Sequence, residues 1–129
     1  MAGEDRIRSY LLDLGLSYEE VGDGTFLIND EVKGVKNIVA MVSEPLLILR
    51  VKVMETPEQG REKLYEQLLR LNTEDLIHGA YALEGDHVIL IDTLELDTLD
   101  LEELRASIEA IGLALVQHYK LLGRYRQKS

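Results

Sequence analysis

The sequence predicts an α+β domain, an antiparallel β-sheet packed with helices in the order α-β-β-β(β)-α-β-β-α. Three observations lead there. Apolar residues recur at three and four positions in three separate segments. Between those segments lie short β-rich runs joined in pairs by compact turn signals. The last helical segment opens on a complete set of capping residues, Leu99, Asp100, Glu103 and Leu104.

Taken in order, Ile7, Leu11 and Leu14 with Tyr10 predict a short first helix, closed by Gly15. Tyr18 to Val21 and Thr25 to Ile28 flank Gly22-Asp23-Gly24, which supplies the positive φ angles of a hairpin. Asn29 to Lys36 reads as a polar connection. Asn37 to Val42 and Leu46 to Met54 then read as central strands across Ser43-Glu44-Pro45. In the second of these, Leu47, Leu49, Val51 and Val53 share one face, and Leu46, Ile48, Arg50 and Lys52 share the other. Thr56-Pro57-Glu58-Gln59 offers a capping hydroxyl, a proline at the first helical position and a glutamine at the third, so a helix is expected from there. It runs through Leu64, Leu68 and Leu71 and stops near Asn72-Thr73. His78 to Leu83 and Val88 to Leu94 enclose Glu84-Gly85-Asp86 as a second hairpin.

The final helix is predicted from Leu101, because Asp100 can cap, Glu103 can reach back and Leu99 can staple to Leu104. Leu104, Ile108, Ile111, Leu115, Tyr119 and Leu122 carry it for about 22 residues, ~33 Å. Lys120, Arg124, Arg126 and Lys128 suit the negative end of its dipole.

The charge is segregated. The 129 residues carry a formal net charge of −10, and the ten carboxylates between Arg70 and Arg105 account for all of it; the other 14 acids face 14 bases. Such a surface repels phosphates, so nucleic acid is not an expected partner. The absence of cysteine removes disulfides, thiolate metal sites and cysteine nucleophiles, and fits a reducing cytoplasm. Met1 to Arg8 has no signal-peptide pattern, and the apolar runs are far short of the ~20 residues that span a bilayer, so a cytoplasmic location without membrane contact is expected.

No set of residues specifies a reaction. The sequence has no Gly-x-Ser-x-Gly turn and no phosphate-binding glycine loop. With a tight second hairpin, His78 and His87 fall roughly 20 Å apart along the strands, and His118 has no zinc-like spacing. Asp92, Glu95, Asp97 and Asp100 fail the calcium-loop template, which needs alternate ligands and a glycine at the sixth position. No catalytic residue, cofactor or metal is therefore assigned, and an enzyme is not expected.

The second hairpin points instead to binding. One of its faces carries Tyr81, Leu83, Val88 and Leu90, the other Ala80, Ala82, Ile89 and Ile91. Helices cover one face of a sheet; an uncovered apolar face needs a second copy or an extended client. Tyr81, Leu83, Val88 and Leu90 are the candidate partner-binding residues. The competing reading is a well-covered sheet with Tyr81 simply part of the core; separately, a slip of one residue in register would exchange the faces.

Leu71-Asn72, His78-Gly79-Ala80-Tyr81-Ala82-Leu83, Val88 to Leu96 and Leu99-Asp100-Leu101-Glu102-Glu103-Leu104 together resemble the YbjN family, described as bacterial sensory transduction regulators. That family is similar in fold to the small acidic chaperones of type III secretion, which act as homodimers and hold extended segments of client proteins. The resemblance implies that residues 1–129 form one YbjN-like domain with a type III secretion chaperone-like fold. It transfers no active-site residue. The expected function is a non-enzymatic, homodimeric, chaperone-like or adaptor module that binds an unidentified protein client through its sheet, with the acidic rim favouring basic clients. The alternative is a regulator that senses a small ligand between sheet and helices.

Overall fold

The computed structural model describes residues 3–126. Their order is α1 (Gly3–Leu14), β1 (Tyr18–Gly22), β2 (Thr25–Asp30), β3 (Val35–Ser43), β4 (Leu46–Glu55), α2 (Arg61–Glu74), β5 (Ala80–Glu84), β6 (His87–Glu95) and α3 (Leu101–Gly123). The strands form one six-stranded sheet in the order β1-β2-β3-β4-β6-β5, with every neighbouring pair antiparallel. This is the predicted fold class and element order.

Two-residue turns fix the register. Gly22 pairs with Thr25, Ser43 with Leu46 and Glu84 with His87, so Asp23-Gly24, Glu44-Pro45 and Gly85-Asp86 are the turn residues. Gly24 and Gly85 take the positive φ these tight connections require, at 70° and 57°. With the register set, period-two alternation sorts the side chains. Phe26, Ile28, Ile38, Ala40, Leu47, Leu49, Val51, Val88 and Leu90 point to one face and are all buried. The helices fill that face with Ile7 and Leu11, Leu64, Leu68 and Leu71, and Leu104, Ile108 and Ile111 in one continuous core. At roughly 1.5–3 kcal/mol per fully buried aliphatic side chain, this layer is the main source of stability.

Four local expectations are corrected. Thr56 does not cap α2. Its backbone N–H (2.8 Å) and its hydroxyl (3.2 Å) both donate to the Asp86 carbonyl, which ties the end of β4 to the β5–β6 turn. The helix starts later, after Gly60 at φ 78°, which serves as N-cap without a side-chain cap bond. The polar connection after β2 is shorter than expected, because β2 runs on to Asp30 and β3 begins at Val35. The Asp30 carboxylate accepts from the backbone N–H of Ser17 (3.0 Å) and of Lys33 (3.2 Å), which hold it below the usual carboxylate range and close the turn. Val53 is only partly buried against the core that Leu47, Leu49 and Val51 fill; the register shifts between Lys52 and Met54, and Met54 is the buried residue there. Finally, β5 begins at Ala80 rather than His78, after Gly79 at φ 80°.

The start of α3 matches the expectation. The Glu103 N–H donates to Asp100 Oδ1 at 2.7 Å, the Asp100 N–H donates to Glu103 Oε1 at 3.2 Å, and Leu99 and Leu104 are both buried. Of the basic tail, Lys128 lies outside the described residues. Asp100→Ala should lower stability by about 1 kcal/mol, read as a melting temperature lower by roughly 4 °C, whereas Asp100→Ser should retain most of it. An unchanged transition for Asp100→Ala would show that the box does not hold the helix start.

Candidate protein-binding face

Of the four residues expected to face a partner, three belong to the core. Tyr81 is 5% exposed and Val88 and Leu90 are fully buried, while Leu83, at 47%, lies half-open on the edge strand. The predicted pairing is found, with Tyr81 opposite Leu90 and Leu83 opposite Val88. The side of the sheet is the correction: the helices sit on the Tyr81 face, so the open face of the hairpin is the one with Ala80, Ala82, Ile89 and Ile91.

Long-range polar contacts settle this choice. Tyr81 is gripped through its backbone by Asn72 at the end of α2: the Tyr81 N–H donates to Asn72 Oδ1 at 2.7 Å and Asn72 Nδ2 donates to the Tyr81 carbonyl at 3.2 Å. Its hydroxyl lies 2.7 Å from Nδ1 of the buried His118 on α3, whose Nε2 is 3.2 Å from Asp75 Oδ2. One tautomer satisfies every group: the hydroxyl donates to Nδ1, and the Nε2–H donates to the carboxylate. Burial pushes the Tyr81 hydroxyl up to about 12, with Arg126 opposing the rise and Asp75 adding to it. This relay joins β5, α3 and the end of α2 and acts as a structural latch.

On the opposite side of the sheet no helix packs among the described residues. Leu27 pairs with Val39, Val39 with Arg50, Arg50 with Ile91 and Ile91 with Ala80, which makes one row across five strands. Met41 and Ile48 make a second row, and Lys52, Ile89 and Ala82 a third. The apolar members are half-buried by their neighbours, except Ile89 at 5%. Arg50 on β4 forms an ion pair with Glu84 on β5 and so spans β6 above Ile89, which explains that burial without a helix. Lys52 is paired with Glu55 at 3.7 Å. The result is a slab of Leu, Val, Met and Ile whose cations already have carboxylate partners.

The acidic segment is not one patch. Asp92 pairs with the buried Leu49 and lies on the helix side of the sheet, three residues and one face away from Glu95. Asp100 is spent on the cap, Glu102 binds Arg105 and is held below the usual carboxylate range by that guanidinium, and Asp75 binds His118. Glu84, Asp86, Glu95 and Asp97 remain exposed around the hairpin ends. His78, His87 and His118 lie on three different segments, and among the described residues no three His, Cys, Asp or Glu side chains gather as a metal site would require.

A cavity of about 260 Å³ opens between the end of α1, the β2–β3 turn and α3, with an apolar floor of Leu14, Leu16, Val35 and Ile108. Its two cations are occupied. Lys33 Nζ donates to the Leu14 carbonyl at 2.9 Å, and Arg105 is held by Glu102 and Glu109. Both cations are thus engaged within the fold, and the apolar floor makes up most of the cavity. Among the described residues no helix is long and apolar enough to cross a membrane.

Three helices on one face of a six-stranded antiparallel sheet define an α+β protein of the type III secretion chaperone-like class. The chain belongs to the family whose model, CesT_Tir_1, matches residues 3–128. Among solved structures it is similar to YbjN from E. coli, at 17% identity and a TM-score of 0.68 over 92% of this chain and 93% of that one. It is also similar to a chain of the heterodimeric ExoU-SpcU complex from the type III secretion system of Pseudomonas aeruginosa, at 18% identity and a TM-score of 0.64 over 86% and 95%. The Yersinia pestis type III secretion chaperone SycH, solved in complex with a fragment of YscM2, shares 20% identity and a TM-score of 0.61 over 90% and 98%. No curated protein matches the chain.

Tyr81→Phe should leave His118 Nδ1 without its partner and destabilise the fold by roughly 1–2 kcal/mol. The phenol titrates near 10 in the unfolded chain and about 12 in the folded one, so its contribution is complete below pH 10 and is lost between those values. The gap in unfolding free energy between wild type and Tyr81→Phe should therefore hold steady up to pH 10 and narrow toward pH 12 in denaturant titrations. A constant gap across that range would rule the latch out as the source.

Proposed function

We propose that this chain is a non-enzymatic, chaperone-like adaptor of the cytoplasm that holds an extended segment of another protein on the open face of its sheet. In this reading residues 1–129 act as one YbjN-like domain and work as a homodimer. The observation that carries it is the contrast between the two faces: one is filled to completion by three helices, the other leaves Leu27, Val39, Met41, Ile48 and Ile91 without a covering element. An apolar slab of this kind marks an interaction surface.

Fold neighbours support a protein partner. Besides ExoU-SpcU and SycH with its YscM2 fragment, the HopA1-SchA chaperone-effector complex contains a chain similar to this one at a TM-score of 0.63 and 10% identity. The exposed Glu95 and Asp97, next to the ion-paired Glu84 and Asp86 at the hairpin ends, favour clients with basic residues flanking an apolar stretch. Tyr81, Val88 and Leu90 support this surface from behind, and Leu83 borders it on the edge strand.

The reading is tested with fluorescent 15-residue peptides of basic, amphipathic composition, titrated against wild type and an Ile48→Asp/Ile91→Asp double variant by anisotropy. Two side chains each worth roughly 1.5–3 kcal/mol when buried predict a loss of at least tenfold in affinity. Circular dichroism should remain that of wild type. A folded double variant that binds the same peptides equally well would overturn the proposed face.

A further inference from the structure

Where the start of α2 meets the end of α3, the local charge runs against that of the chain. Because Thr56 is tied to the Asp86 carbonyl, α2 starts only after Gly60, and Pro57 to Gly60 remain as a loop. Arg61 holds that loop, its Nε donating to the Pro57 carbonyl at 2.6 Å. A shallow cavity of about 440 Å³ opens between the loop, Lys63 on the first turn of α2, and Arg124 to Arg126 just past α3. We propose that this cavity binds the diphosphate group of a small soluble molecule, held by Lys63, Arg124 and Arg126. No residue of the open sheet face lines it, so the site is separate from the client surface proposed above.

Charge selects the ligand. Three cations and one carboxylate, Glu58, line the cavity, a net +2 in a chain of −10. None of the ten carboxylates between Arg70 and Arg105 belongs to the lining. Arg8, Arg50, Lys52, Arg61, Arg70 and Arg105 all have carboxylate partners; among the described residues Lys63, Arg124 and Arg126 have none. An unneutralised trio attracts a group with more than one negative charge. Guanidinium forks hold phosphate oxygens in pairs, and a lysine adds a point charge beside them. The cations stand on two elements, and the volume falls in the range of small-molecule sites, roughly 300–1,000 Å³, so two adjacent phosphates suit the site better than one.

The fold also prepares the cavity. Arg126 Nη1 donates to the Tyr119 carbonyl at 3.0 Å, and its guanidinium lies 4.5 Å from the centre of the Tyr119 ring. These contacts fix the group while using one of its five N–H donors. A group already fixed loses less freedom when a ligand binds. The negative pole of α3 would oppose an anion here, but it is muted. The N–H groups of Arg124, Tyr125 and Arg126 donate to the carbonyls of Leu121, Leu122 and Gly123. The first turn of α2, which has no side-chain cap, adds its positive pole to the three cations. Tyr125 packs against the core and gives the cavity an aromatic wall, and beside Gly60 the space is open, since a Cβ there would meet nothing within 4 Å.

Calorimetric titration of the full chain at low ionic strength tests this, with inorganic pyrophosphate, orthophosphate and ADP as probes. Pyrophosphate should bind at least about tenfold more tightly than orthophosphate. Lys63→Glu and Arg124→Glu change exposed residues and should stay folded by circular dichroism, yet each should weaken pyrophosphate at least about tenfold. Lys36→Glu, the same change of charge at an exposed position on β3, should leave the affinity as it is. ADP and pyrophosphate separate two sources of the diphosphate: tighter ADP assigns a nucleoside diphosphate, tighter pyrophosphate the inorganic ion, and either supports the site. A wild type that binds none of the three at millimolar concentration would overturn the proposal. Equal weakening by Lys36→Glu would overturn it as well, because the chain would then hold an adventitious ion only.

Discussion

The fold follows from a sheet that is wide enough to have two apolar faces and from the three helices that, among the described residues, cover one of them. The turns at Asp23-Gly24, Glu44-Pro45 and Gly85-Asp86 set the register, so outside the shifts near Val21, Asn29 and Val53 each strand commits alternate residues to one side. The side with Phe26, Ile38, Leu49 and Leu90 becomes the core, and the side with Val39, Ile48 and Ile91 is left over. The leftover side is a product of the same alternation that builds the core. A mutation that shifted the register by one residue would empty one face as it filled the other.

Local sequence carried most of the architecture. Strand and helix periods are short-range properties, and the capping box at Asp100 and Glu103 is complete within four residues, so these features were legible without any tertiary knowledge. Thr56-Pro57 shows where that stops: the same hydroxyl that could cap a helix is claimed by the Asp86 carbonyl thirty residues away, a competition that no local pattern displays. The bulge that exchanges Val53 for Met54 is equally invisible in a run where both are apolar.

The open face was half legible. Both sets of residues on the β5–β6 hairpin are apolar, so pattern alone named two candidate faces and gave no reason to prefer either. What decides is where α2 and α3 land, and that is recorded in Asn72, Asp75 and His118, polar residues whose roles depend on contacts nine to forty-three positions away in the chain. Asn72 did stand in the segment that resembles the YbjN family. Its grip on both backbone groups of Tyr81 is a physical reason for an asparagine there, since only a side-chain amide offers a donor and an acceptor at that spacing. The acidic segment was read correctly as charge and too simply as a surface, because Asp75, Asp100, Glu102 and Glu103 are engaged within the fold.

A sheet with an uncovered apolar side runs a risk that its two margins determine. Unpaired edge strands invite copies to add end to end into fibrils. On β5 the Asn72 amide occupies the place a neighbouring strand would take at Tyr81, and at the other margin β1 presents the exposed Glu19, with Glu20 held by Arg8. An incoming strand meets a plug on one side and like charge on the other. Both features work against growth of the sheet through its edges while its apolar side stays open.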